Sequence, residues 1–365
     1  MQVIFRYHLV DIYDAKIMTV SKYWYDIVIS VIAVFDNKKT KYDSLLKHFT
    51  KLKSLNAGYD RIITDVGLLS LINLTSLTIP MNILITDNGI SHLINLTSLK
   101  IRDNTIIKGK GLLPLINLTS LDISSNNLIA DKDLSHLTNL ASLNISHSNI
   151  ITGDGLLPLI NLTSLNLLRN KSITDICLSR LTNITSLKLE MNGLITDKGL
   201  LFLVNLTKLN INSNRLITGK GLLPLTNLIS LEISSNIIIT NNDLLSFTGL
   251  KSLNINCNDL ITINCLLTLT NLISLDICAY NLITNNDLLL LTGLKSLNIM
   301  NNYCITDNGL LQLTNLTLLD ISVNRNITDK GLLTLTNLTS LDIRDNELIT
   351  DNGLAHFKGR CKIIR

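Results

Sequence analysis

Histidines and cysteines are the residues of this chain best suited to hold a metal or act as nucleophiles, and there are six of each. His8, His48, His92, His136, His147 and His356 are dispersed. His92 and His136 also recur at the same place in a repeated unit, which marks duplication rather than a ligand set. Cys177, Cys257, Cys265, Cys278, Cys304 and Cys361 include no C-x-x-C pair, so the spacing argues against a zinc cluster and against a small disulfide scaffold. Reduced thiols in a cytoplasmic protein fit best. ITGKG at 217–221 has the look of a phosphate loop but lacks the G-x-x-x-x-G-K-[ST] spacing that cradles phosphates. Triplets NLT or NIT, which fit the acceptor pattern for N-linked glycans, recur at Asn73, Asn95, Asn117, Asn161, Asn183, Asn205, Asn315 and Asn337, these eight sharing one repeat position and accompanied by no secretory signal. We expect no enzyme, no metal, no cofactor and no glycan.

The net charge of +4 and the 16% of charged residues give no electrostatic case for a nucleic-acid binder or an anionic-membrane binder. The run IVISVIAVF at 27–35 is far short of the ~20 apolar residues that span a bilayer. A monomer in the cytoplasm is the expectation, in the host cytoplasm if the source is a virus.

Whatever these residues do, a strict period positions them. Aligned on L-x-x-L-x-L-x-x-N, the first apolar position recurs every 22 residues from Leu52 to Leu338, with Ile184 once in place of Leu, in fourteen copies without an insertion. One idealised unit reads LTSLDISSNxLITDxGLLxLTN. Alternation of Leu118, Leu121 and Ile123 predicts a short strand with those side chains inward and Ser120, Asp122 and Ser124 outward. The Thr-Asp pair suits helix capping, and Leu200 and Leu203 after Thr196-Asp197 predict one or two helical turns. The glycine ahead of these leucines permits close packing of adjacent turns.

Three residues beyond each strand stands Asn82, Asn104, Asn126, Asn170, Asn192, Asn214, Asn236, Asn258, Asn302, Asn324 or Asn346. A stacked column of such amides would satisfy the backbone groups turned inward where the chain bends off the sheet. Asp60, Ser148 and Tyr280 interrupt the column.

This unit is that of a leucine-rich repeat. The resemblance implies an α/β solenoid, an array of about 14 units of 22 residues with a parallel concave sheet and short helical turns on the convex side. Domain boundaries follow at 1–42, a helical amino-terminal segment, and 43–365, the array with a polar cap in which Arg360 takes a core leucine's place.

The amino-terminal segment holds the single tryptophan, and Ile17, Val20, Trp24, Ile27, Val28 and Val31 recur at helical spacing behind Asp14. One reading is a helix that caps the first repeat. The other is a resemblance: Asp14, Ile17, Val20, Ser21, Lys22, Trp24 and Val28 resemble the second half of an F-box, with its Val-Ser/Cys-Lys-x-Trp signature. The family's opening Leu-Pro-x-Glu helix has no counterpart in residues 1–42. With the ITDxGL repeats, the chain resembles the F-box/leucine-rich-repeat proteins of giant DNA viruses. That resemblance implies a substrate-recognition subunit of an SCF-type ubiquitin ligase, with Ile17, Val20, Trp24, Ile27 and Val28 as the Skp1-binding candidates and a ubiquitination target as the second partner. The alternative is a free-standing repeat scaffold or binding protein without a ligase role.

Outward strand positions form the natural partner-binding surface, and most are Ser, Asn or Thr. Its charged candidates are Lys100, Arg102, Arg169, Lys188 and Glu190, then Glu232, Asp276, Asp320 and Asp342. Positive charge leads and negative charge follows. This layout suits either a partner of opposite polarity or a solvated face.

Overall fold

The computed structural model describes residues 2–4, 43–44, 46–57, 63–258, 260–279 and 282–365. They divide into two compact units, Met1–Ile173 and Thr174–Arg365, each a stack of the same coil. In the first unit the strands are β1 (Gln2–Ile4), β2 (Ser54–Asn56), β3 (Ser76–Thr78), β4 (Ser98–Lys100), β5 (Ser120–Asp122), β6 (Ser142–Asn144) and β7 (Ser164–Asn166). In the second they are β8 (Ser186–Lys188), β9 (Lys208–Asn210), β10 (Ser230–Glu232), β11 (Ser252–Asn254), β12 (Ser274–Asp276), β13 (Ser296–Asn298), β14 (Leu318–Asp320), β15 (Ser340–Asp342) and β16 (Lys362–Ile364). Pairing within each unit is parallel and in strict register, so Ser54, Ser76, Ser98, Ser120, Ser142 and Ser164 face one another in a row.

Apolar residues at fixed places wind each coil about its own core. In the coil that begins at Leu74, the side chains of Leu74, Leu77, Ile79, Ile85, Ile90 and Leu93 are all fully buried. Leu77 is the central, inward residue of β3. Ile90 and Leu93 come from the outer turn, where the chain has room for a single four-residue helix, Asp87–Ile90. Coils pack only on their neighbours, so the core grows in length and not in width.

Polar side chains hold the two bends. At the first, a residue in the left-handed region precedes the ladder asparagine: Ser213 has φ 53° and Val323 φ 57°. The left-handed residue donates its amide to the next coil, as from Ser213 to the Ser234 carbonyl at 2.8 Å. That turn aims the next side chain inward. Asn214 Oδ1 accepts from the amides of Leu216 and Ile217 at 2.9 and 3.0 Å, and its Nδ2 donates to the Asn192 carbonyl at 3.0 Å. Asn236 repeats this one coil on, donating to the Asn214 carbonyl. All eleven ladder asparagines are buried. Ser148 is buried in their row with a hydroxyl that has no partner, while Asp60 and Tyr280 lie outside the described residues.

The second bend is held by a carboxylate. Thr218 caps its helix by accepting the Lys220 amide, and at the same time its hydroxyl donates to Asp197 Oδ2 of the preceding coil. Asp197 Oδ1 takes the Thr218 amide, both bonds to this carboxylate being 2.7 Å. Asp65, Asp131, Asp307 and Asp329 serve Thr86, Thr152, Thr328 and Thr350 in the same way. Their presence explains the glycines, because a Cβ on Gly221 would stand 2.4 Å from Asp197 Oδ1.

Where the preceding coil carries glycine in the aspartate's place, the glycine two residues along the next turn is itself replaced. Gly109 precedes a coil with Asp133, and Gly219 a coil with Asp243. There the substitute carboxylate reaches the cap amide from within its own coil, Ala130 to Asp133 at 2.9 Å and Thr240 to Asp243 at 2.8 Å. Asn241 and Asn285 fill the aspartate's place with an amide oxygen, which accepts from the backbone amides of Thr262 and Thr306. In these coils one side-chain oxygen serves the cap amide, drawn either from the preceding coil or from within the same one.

Two findings concern the ends. Gln2–Ile4 pairs in parallel with β2, so the first residues lie along the sheet; 38 residues separate Ile4 from Asp43, where eight separate Thr78 from Asp87. The helix expected from Asp14 onward falls outside the described residues. At the far end Arg360 is exposed, its guanidinium 5.6 Å from the Phe357 ring centroid, and a further strand, β16, follows it.

Two stability tests follow. Asn214→Ala strands two amides and one carbonyl and is expected to cost on the order of 3–5 kcal/mol, whereas Ser148→Asn supplies a missing ladder oxygen and should add about 1 kcal/mol. Urea midpoints with amide exchange at Leu216, Ile217, Ile150 and Ile151 check both. Asp197→Gly and Gly221→Asp should each destabilise by about 1–3 kcal/mol, while the double variant, which copies the natural Gly219–Asp243 arrangement, regains most of the loss. Simple additivity of the two would refute the exchange.

Candidate functional site

The outward sides of the strands present rows of side chains whose positions are fixed by register. The first row is serine in most coils, broken in the second unit by Lys208, Leu318 and Lys362. A second row, two residues along, runs Asn56, Thr78, Lys100, Asp122, Asn144 and Asn166 in the first unit. In the second unit it runs Lys188, Asn210, Glu232, Asn254, Asp276, Asn298, Asp320 and Asp342. Parallel strands put neighbours in a row ~4.8 Å apart.

Lys100 and Lys188 are exposed on β4 and β8. Arg102 lies beyond the end of β4, and its Nε binds Asp103 Oδ2 at 2.7 Å. Arg169 is exposed but occupies the left-handed turn after β7, with φ 52°, and so stands off the strand rows. Glu190 is half-buried beyond β8. Glu232 is tied down by neighbours, its Oε2 accepting from Asn210 Nδ2 at 2.6 Å and Asn212 Nδ2 at 3.3 Å. The register brings Asp276, Asp320 and Asp342 into one row, with Asn298 between the first two. Ile17, Val20, Trp24, Ile27 and Val28 lie outside the described residues.

The three aspartates differ in what surrounds them. Burial pushes the Asp276 carboxyl above its ordinary range, against hydrogen bonds from Cys278 and Asn298, and the Asp320 charge adds to the rise. Burial also pushes at Asp342, but the Arg344 guanidinium, at 2.7 Å, outweighs it and holds that carboxyl low. Asp320 accepts the Ser322 amide and hydroxyl at 2.9 and 2.6 Å. Arg344, Asn212 and Leu318 were missed by the sequence reading. Comparing the first row across coils would have found Leu318, which stands where most coils carry serine; the position of Arg344 and Asn212 has no majority residue, so only their neighbours Asp342 and Glu232 mark them.

The cysteines are free thiols, with Cys257 and Cys304 exposed and Cys177, Cys265 and Cys278 buried. Burial alone pushes Cys265 to about 12, and burial with the Asp276 charge pushes Cys278 to about 12. Among the described residues no cluster of His, Cys, Asp or Glu could hold a metal, and no helix is long and apolar enough to cross a membrane.

The glycan-like triplets have a structural use. Asn95 Nδ2 donates to the Ile72 carbonyl at 2.9 Å and Thr97 Oγ1 to the Thr75 carbonyl at 3.1 Å, joining adjacent coils. Asn139, Asn227 and Asn271 make the same bond without a threonine two residues on. The bond to the preceding coil therefore accounts for the asparagine.

A family model described as Leucine Rich repeat matches residues 92–116, 115–135, 136–160, 180–204, 202–225, 312–335 and 334–357. Among solved structures, the chain is similar to an internalin of Listeria monocytogenes, at 30% identity over 82% of this chain and 88% of that one, with a TM-score of 0.58. It is also similar in fold to a leucine-rich-repeat protein of Leptospira interrogans, at 21% identity over 88% and 97% of the two chains and a TM-score of 0.53. A third similar fold is in the complex of Rad7 and Elc1 of yeast, at 20% identity over 93% and 89%, with a TM-score of 0.58. No curated protein matches the chain.

Thiol alkylation at pH 8 checks the burial assignments. Cys257 and Cys304 should react with iodoacetamide in the native protein, and Cys265 and Cys278 only after unfolding, because thiolate fraction and access both fail there.

Proposed function

The chain belongs to the leucine-rich-repeat family, and from that premise we propose that it is a non-catalytic protein-binding module whose partner lies across the sheet face. The observation that carries this reading is the register of that face: rows of short polar side chains, fixed on strands, with charges such as Lys100 and Lys188 exposed among them. Rigid presentation lowers the ordering cost of association. The similar fold in the yeast complex of Rad7 and Elc1 is itself solved bound to another protein.

The more specific role is a cytoplasmic, monomeric substrate-recognition subunit of an SCF-type ubiquitin ligase. In it residues 5–30, through Ile17, Val20, Trp24, Ile27 and Val28, contact Skp1, and the sheet face presents the target. The Val20-Ser21-Lys22-x-Trp24 spacing supports it, together with the ITDxGL repeats. A free-standing binding protein is the second reading. It is favoured by the pairing of Gln2–Ile4 with β2, which ties the amino-terminal residues to the array itself.

Two measurements test these layers. A photo-crosslinking residue at Ser252, on the sheet face, should capture a protein partner that the same residue at Thr248, on the outer turn, does not; equal or absent capture would sink the binding-face reading. Purified eukaryotic Skp1 should be retained by the folded full chain and lost in Trp24→Ala. Circular dichroism has to show Trp24→Ala folded, because a tryptophan-to-alanine change in a core costs ~3–5 kcal/mol. Failure of the full chain to retain Skp1 removes the ligase role and leaves the scaffold.

A further inference from the structure

We propose that the sheet face over β12–β15 docks a cationic protein segment that carries one apolar side chain, with Leu318 receiving the apolar group and Asp276 and Asp320 the cations. This rests on the sheet face being the binding face and names the chemistry of its partner.

The apolar half of the argument is a departure from a row. Ser274, Ser296 and Ser340 hold the first strand position in β12, β13 and β15, whereas β14 has Leu318, 46% exposed between Ser296 and Ser340. The core gains nothing from it, because the inward residue of that strand is Leu319, 3% exposed. An isolated leucine on a polar face is unremarkable by itself. Its position decides the matter.

Asp320 is two residues along the same strand and on the same side, ~7 Å away, and Asp276 lies two strands from Asp320, ~10 Å. None of the groups acting on the Asp276 carboxyl is a cation. The one guanidinium nearby, Arg344, is engaged by Asp342 and sits in the field of Asp320 and Asp345 as well. Three carboxylates thus surround the one engaged guanidinium near an exposed leucine, with Lys362 two strands away in the leucine's own row. Lys251 and Lys295 enter β11 and β13 from the opposite end of the strands and do not appear among the groups acting on Asp276. A polyanion or acidic segment would be repelled here, while a Lys/Arg segment relieves the mutual repulsion of Asp276 and Asp320. Arginine and a central apolar anchor are also what binding hot spots use.

The test uses the full chain and a fluorescein-labelled peptide of about nine residues, ~30 Å extended, made of Arg, Lys and Gly around one Leu. Anisotropy titrations compare it with the same peptide bearing Glu for Arg and Lys, and with Ser for Leu. The cationic peptide is expected to bind and the acidic one not. Asp276→Asn with Asp320→Asn, asparagine being what Asn254 and Asn298 already provide in that row, should weaken binding about tenfold and flatten its salt dependence. Leu318→Ser, the row's own residue, should abolish the difference between the Leu and Ser peptides. Equal binding of cationic and acidic peptides, or affinity unchanged in the asparagine pair, overturns the proposal. So does a chain that sediments as a dimer and excludes the peptide, since a second copy would then hold the face. Loss of peptide selectivity with Ser252 crosslinking intact overturns this inference alone, and loss of both removes the binding-face reading too.

Discussion

A coil of 22 residues must turn off its sheet inside a row of packed leucines, where no water can reach the backbone it bends. Everything else depends on the buried asparagine that meets this demand. Its carbonyl oxygen takes two amides of its own turn and its NH2 reaches the preceding coil, so a local bend and a contact between coils are one interaction. Without it the apolar residues could still collapse, but amides of the bend and a carbonyl of the preceding coil would be left without partners. With it, strands fall in register and the outward residues align in rows.

The remaining polar side chains reinforce the same principle. Aspartate joins two outer turns, the Asn-Leu-Thr segment joins two strand entries, and each reaches 21 to 23 residues back or ahead. Cohesion is therefore distributed among side chain to backbone bonds between neighbours. The surface that results is stiff, and its variation is concentrated in outward positions of the strands, which is where Lys188, Asp276 and Leu318 stand.

Much of this was legible in the sequence because period and alternation report backbone path. Leu118, Leu121 and Ile123 announce a strand, and the Thr-Asp pair a capped turn. What escaped depends on pairs of coils rather than on one. Asp133 looks like a random replacement of glycine until Gly109 is read beside it, and the glycan-like triplets look like decoration until Asn95 is placed against the Ile72 carbonyl. Leu318 was hidden for a related reason: a leucine in a leucine-rich chain attracts no notice unless its row is known. Arg169 was misjudged because a left-handed residue breaks the alternation that the strand sets up.

The alternating source of the capping oxygen has a consequence for how such an array can change. A coil that carries the aspartate at the start of its turn is followed by glycine two places along the turn of its successor, whereas Gly109, Gly219 and Ile263 are followed there by Asp133, Asp243 and Asp287; Gly153 and Asn241, followed by Cys177 and Cys265, stand outside this pairing. Duplication, loss or recombination of whole coils is easiest where the two positions match across the cut. The array is thus a text with spelling rules between words, and its near-identical units are less interchangeable than they look.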